Sequence, residues 1–384
     1  ECVRWWDRWL KDVPNGVDDE PMLRVWMQAS APPTPTYRHR PGRWVAEPVW
    51  PSAQVERRVF ALAPGRLLPA PERVATELSI QSPLTLGLFA GKWCSYAAGP
   101  DLAHDQRQED GGALVFDTDV LAEDLEILGA PEVDLEIAAD RPIAMVAVRL
   151  SDVAPDGKAT RVTYGLFNLT HRESSWHPSR LEPGEPYPVR VKLNDIAQAI
   201  PAGHRLRLSI SSSYWPLAWP PPEPTRLTIA TAASALALPV RAPRPEDADL
   251  RPFGEPVGAA AEPRVLVEAG HHNWLVHRDL ATDRSTLEVV NDNGTFDIPA
   301  VDLRVRHDTR EWYASTGDDF ASAMGEVRAE RGFERGDWQV RTLTRTRLAA
   351  DACTFYVQAD LDAYEGDKRV FSRSWDEAIP RDFV

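Results

Sequence analysis

The 384-residue chain is long enough for two or three cores at about 150 residues per domain. Its hydrophobic content of 43% and charged content of 26% describe a globular protein, and no apolar run approaches the ~20 residues of a membrane span. A net charge of −15 argues against nucleic-acid phosphates and anionic lipid as partners.

Residues 1–12 place Val3, Trp6 and Leu10 at i, i+3 and i+7, with Trp5 and Trp9 alongside, which predicts a helix with a broad apolar stripe. Pro14-Asn15-Gly16 ends it, and residues 22–28 read as a buried strand. A helix and strand alone cannot enclose a core, so residues 1–30 are expected to be the end of a truncated α/β domain. There is no initiator Met, which fits a fragment of a longer protein.

Residues 31–75 carry many prolines and predict a crossing linker with short strands, such as 57–61. Residues 76–113 form a long loop whose Leu88, Phe89, Trp93 and Tyr96 argue against disorder. Next, Val146, Val148 and Leu150 alternate with Ala147, Arg149 and Ser151, as in a strand with one buried face. Pro155-Asp156-Gly157 turns the chain into a second β-rich run, 160–169. Further alternating strands lie at 189–193 and 205–210. Residues 211–224, with Tyr214, Trp215 and Trp219 among prolines, form a rigid aromatic wall, suited to interdomain packing or to an apolar pocket. A strand at 227–230 completes a β-sandwich over 76–240, and 241–269 read as a linker. Residues 270–384 form an additional β-rich region. Within it, Asp292-Asn293-Gly294 between 287–290 and 295–298 predicts a hairpin, and residues 379–382 a tail.

Residues that carry chemistry are scarce. No G-x-S-x-G elbow occurs, and Ser209, Ser211, Ser212 and Ser213 lie on or after a strand. Cys94 has Lys92 beside it and His104 ten residues on, but the sequence joins neither to it. The three cysteines, Cys2, Cys94 and Cys353, are too far apart for a disulfide framework, and a reducing, cytoplasmic compartment is the expectation. His271, His272 and His277 lack helical metal-ligand spacing, and no phosphate loop is present, so no metal or cofactor is expected.

One set of ordered motifs does carry a resemblance. Residues 105–107 (DQR), 114–117 (LVFD), 126–133 (EILGAPEV), 152–157 (DVAPDG), 168–172 (NLTHR), 201–205 (PAGHR) and 212–216 (SSYWP) run in the order seen in one family. They resemble the C-terminal domain of the CocE/NonD hydrolases, relatives of cocaine esterase and X-prolyl dipeptidyl-peptidase. The match is strongest over residues 84–230, and residues 1–28 resemble the final helix and strand of the family's α/β-hydrolase domain. The resemblance implies a mainly β fold: a jelly-roll, galactose-binding-like sandwich after the remnant of an α/β-hydrolase domain. It implies serine acyl transfer on ester, amide or X-Pro peptide substrates, with the triad upstream of Glu1, so no catalytic residue is assigned here. It also places residues 84–107 against the upstream hydrolase domain, the expected partner. Leu88, Phe89, Trp93, Tyr96, Tyr214, Trp215 and Trp219 are then candidates for walling the acyl pocket. Two other readings stand beside it. One is a free-standing carbohydrate- or peptide-binding module stacking ligand on Tyr214, Trp215 and Trp219, and the other is a thiol hydrolase using Cys94. Oligomeric state is left open.

Overall fold

In the computed structural model, which describes residues 1–95 and 99–384, the chain is mainly β, as its alternating runs imply. The helix forms at Cys2–Lys11 and closes on Asp12 in the left-handed region (φ 54°). The following strand, Leu23–Gln28, pairs antiparallel with Gly42–Glu47 along its length and touches Ile196–Ile200 at Gln28. The proline-rich stretch is therefore structured. Gly42–Glu47, Val55–Ala63 and Arg66–Pro69 all join the large sheet. The prolines flank these strands or, like Pro69, end them.

The sandwich has two layers. One contains Ala159–Asn168, Met145–Val153, Arg205–Ser211 and Leu114–Asp117. The other contains Tyr187–Lys192, Glu132–Ala139, Leu227–Ala230 and Glu77–Ile80. Ala235–Arg241 pairs with Glu132–Ala139 and with Val55–Ala63, linking the layers at one edge. Strict alternation in Glu132–Ala139 sends Val133, Leu135 and Ile137 into one core with Val146, Val148 and Leu150 of the opposite layer.

Residues 265–384 form a separate antiparallel meander of long strands. The expected hairpin at Asp292-Asn293-Gly294 does not form, because Arg284–Ile298 runs through it as one strand. Gly294 takes φ +72°, and its N–H donates to Asp292 Oδ1 (2.8 Å). The Asn-Gly pair thus makes a bulge. On one side of the bulged strand, two short strands pair with it in turn, His271–Asp279 and Val265–Glu268. On the other side Leu303–Thr316 runs past without a break.

The chain end is no free tail. Ile379 and Pro380 finish the last strand, and buried Arg381 reaches the carbonyls of Pro220, Asp351 and Val384. Desolvation pushes its guanidinium down to about 10. Phe383 O accepts from Asn168 Nδ2 and Thr170 Oγ1, tying the meander to the sandwich. Among the described residues no helix is long and apolar enough to cross a membrane.

Candidate functional site

The described residues of the long loop 81–113 lie between the sandwich and the meander, and the alternate leucines divide the work. Leu84 packs with Trp215, Phe320 and Ala323, and Leu86 with Met145, Ala147, Tyr164 and Tyr214. Leu88 packs with Leu287 and Val289 of the meander. Between them Gly87 sits at φ +119°, and a Cβ there would lie 2.2 Å from the carbonyl oxygen of Trp215. Only glycine allows so close a crossing of two backbones.

A buried polar cluster holds this wedge in place. The Glu109 carboxylate accepts from the amides of Gly87 (2.6 Å) and Phe89 (2.7 Å). Burial pushes its pKa up, against the pull of the nearby Arg149 charge and of the two amides. Asp110 accepts from Ser209 Oγ (2.8 Å) and Arg207 Nη1 (2.9 Å), and its carboxylate lies 3.3 Å from Arg149 Nη2. Arg149, fully buried, donates to Gln106 Oε1 (3.0 Å). Gln106 in turn donates to the His104 carbonyl (2.8 Å). Arg161 donates to Tyr214 Oη (2.8 Å).

This cluster corrects one reading of the strand Met145–Val153. All nine of its residues are buried, where alternation predicts one buried face. The loop lies over the second face, so Ala147, Arg149 and Ser151 never reach water. Sequence reasoning missed Glu109, Asp110 and Arg149. The available signal was an arginine inside a strongly β-forming run, next to a loop carrying Glu-Asp.

The predicted site residues divide by exposure. Tyr214 and Trp215 are buried, and Trp215 meets Trp219 (5.0 Å, edge to face) and Tyr313 of the meander (6.2 Å). Trp219, half-buried, meets Phe355 of the meander at 5.6 Å. Leu88 is buried and Phe89 half-buried, with its ring 6.0 Å from that of His104. Trp93 stands out at 72% exposed, while its carbonyl accepts from Tyr164 Oη (3.0 Å). Tyr96 lies outside the described residues. Beside the loop, a groove of about 770 Å³ opens between residues 34–40 and the strand Ala159–Asn168. Arg40, Asp101, Arg161 and Tyr164 line it.

Ser30, Asp152 and His204 meet, but Ser30 Oγ donates to Asp152 Oδ2 (2.5 Å) while His204 Nδ1 contacts Oδ1 (2.7 Å). A nucleophilic serine needs its proton taken by histidine, whereas here both groups share one carboxylate. The cluster fastens residue 30 to the sandwich. Cys94 is exposed, and among the described residues no hydrogen bond joins it to His104. Burial lowers the pKa of His104. His272 and His277 make cross-strand contacts with Asn291 and Glu288. Among the described residues no cluster of metal-ligating side chains is present.

Comparison with known proteins places the sandwich. The family described as the X-Pro dipeptidyl-peptidase C-terminal non-catalytic domain matches residues 15–275, a span that takes in the strand Leu23–Gln28. Cocaine esterase of Rhodococcus sp. (strain MB1 Bresler) is 29% identical over 103 residues, 27% of this chain and 18% of that protein. A Bacillus cereus protein described as an Xaa-Pro dipeptidyl-peptidase is 23% identical over 242 residues, 62% of this chain and 37% of its own length. A Rhodopirellula baltica protein so described is 28% identical over 244 residues, 62% of this chain and 36% of its own. The chain thus spans less than two-fifths of the curated relatives it matches. Among solved structures, an α-amino acid ester hydrolase aligns at 23% identity and TM-score 0.44, over 52% of this chain and 39% of that one. A CocE/NonD family hydrolase of Staphylococcus aureus aligns at 14% identity and TM-score 0.46, over 62% and 45%.

Proposed function

The chain belongs to the X-Pro dipeptidyl-peptidase C-terminal non-catalytic domain family, and from that premise we propose that it is the C-terminal β portion of a serine ester or amide hydrolase. In this reading an upstream α/β-hydrolase domain supplies the serine, its histidine and its acid, and the sandwich, of jelly-roll type, packs against that domain. The observation that carries the proposal is the helix Cys2–Lys11. Its Val3, Trp5, Trp6, Trp9 and Leu10 are 49–73% exposed. A patch of five such side chains in one stripe is costly to leave in water and marks a docking surface. A self-sufficient binding module has no use for it. Of that module's stacking platform, Tyr214 and Trp215 are buried and Trp219 is half-buried, which speaks for packing.

The pocket-wall role narrows accordingly. Among the described residues of 84–107, exposed Trp93 and half-buried Phe89 are the aromatic groups left for a substrate acyl group to meet. Leu88, Tyr214 and Trp215 set the position of that loop from below. Alanine at both Phe89 and Trp93 in the full-length parent is expected to lower kcat/KM for aromatic and aliphatic esters by about tenfold, or ~1.4 kcal/mol. Unchanged kcat/KM for both ester classes would remove the loop from the substrate pocket.

A further inference from the structure

The last strand of the meander has an edge that nothing covers among the described residues. This strand, Lys368–Pro380, pairs with Thr354–Glu365 on one side. Among the described residues its other side pairs with nothing. It is 13 residues long, and every residue but Trp375 is exposed. At ~3.4 Å per residue this is an edge of about 44 Å, with half of its N–H and C=O groups directed outward. Edge strands are normally kept short, broken by a central proline, or covered. Here the only proline is the terminal Pro380, and the one irregularity lies beside the turn, at Ala363/Tyr364.

The side chains along this edge are self-complementary. Lys368 and Arg369 stand at one end, and Asp376 and Glu377 near the other. Two such strands laid antiparallel bring each basic end against the other's acidic end. Phe371, Trp375 and Ile379 lie opposite Ala363, Ala359 and Phe355, so they share one face. Phe371 and Ile379 are each 49% exposed. Arg373, midway, lies over the Trp375 ring (4.8 Å). A second copy of the same strand would continue this apolar row and satisfy the open backbone groups in a single step.

We propose that residues 368–380 are a self-association edge, through which two copies of this chain join their meanders into one continuous antiparallel sheet about a two-fold axis. A two-fold interface needs one patch complementary to itself, which this charge order provides. The proposal concerns residues outside the 15–275 family match and does not depend on the hydrolase reading.

The test uses sedimentation of the chain of residues 1–384. The wild type is expected to be dimeric at micromolar concentration. Reversing the basic end (Lys368→Glu with Arg369→Glu), or the acidic end (Asp376→Lys with Glu377→Lys), should each weaken dimerisation about tenfold or more. All four side chains are exposed, so circular dichroism should be unchanged. Mixing the two reversed proteins, or combining all four changes in one chain, should restore the dimer. A wild type that is monomeric at high micromolar concentration overturns the proposal. So does a dimer indifferent to both reversals, which would assign association to another surface, such as the tryptophan face of the N-terminal helix. Loss of dimer without restoration on mixing would also overturn it.

Discussion

Replacing Glu109 by alanine should lower stability by about 3–5 kcal/mol, as measured by urea unfolding at neutral pH. The change takes the shared acceptor from the amides of buried Gly87 and half-buried Phe89. It also removes the negative charge that Arg149 senses beneath the loop. Glutamine keeps one acceptor oxygen and should cost roughly half as much. The pH response has a definite sign. Because burial raises this carboxyl's folded pKa, the site favours folding at acid pH and loses that contribution as pH rises through the raised value. Acid unfolding of this protein should therefore start elsewhere. A loss below ~1 kcal/mol in Glu109→Ala would show that leucine packing alone fixes the wedge.

Arg241→Met is the second large effect, again about 3–5 kcal/mol by the same measurement. Arg241 is 1% exposed and binds three carboxylates: Glu47 (2.7 Å), Asp247 (2.7 Å) and Glu126 (3.5 Å). Arg43 and Arg244 reach the same acids from the rim. Methionine fills similar volume but takes the nearest counter-charge from buried Glu47 and leaves buried Glu126 with Arg43 alone. For Asp247, burial works to raise the carboxyl, but the Arg241 hydrogen bonds and charge prevail and hold it below its usual range. This stabilisation is present above the ordinary aspartate pKa and is lost as pH falls through the depressed one. Wild type should lose stability on acidification partly through this site, and Arg241→Met should show a flatter acid limb. A variant as stable as wild type would mean that the rim arginines alone suffice.

Local patterns in the sequence account for much of the fold. The tryptophan stripe marks the helix Cys2–Lys11, and alternation marks the strand Tyr187–Lys192, because one side of it meets a core. Where a distant segment supplies the covering surface, the pattern misleads. Arg149 reads as a solvent-facing residue in a one-sided strand, and only the placement of Glu109-Asp110, some forty residues upstream, makes it a buried charge. Asn293-Gly294 reads as a turn because its local chemistry is that of a turn. The neighbouring strand Leu303–Thr316 pairs straight across it, and the glycine's positive φ is absorbed as a bulge. Prolines between residues 31 and 75 read as a crossing linker with short strands, and the strand Val55–Ala63 covers the expected run 57–61.

The candidate site was legible only in part. Residues 84–107 stand out by their length and aromatic content. Their role as a wedge rests on contacts with Trp215, Phe320 and Leu287, which are far away in sequence. The aromatic wall of Tyr214, Trp215 and Trp219 could be read either as packing or as pocket. Edge-to-face contacts with Tyr313 and Phe355 give it packing partners in the meander.

The most direct test of the account is hydrolysis by purified residues 1–384, assayed against nitrophenyl esters and X-Pro anilides. The account predicts no turnover above buffer for the wild type. Turnover that persists in Cys94→Ala and is abolished by a serine-directed reagent would contradict it, since it would place the nucleophile within this chain.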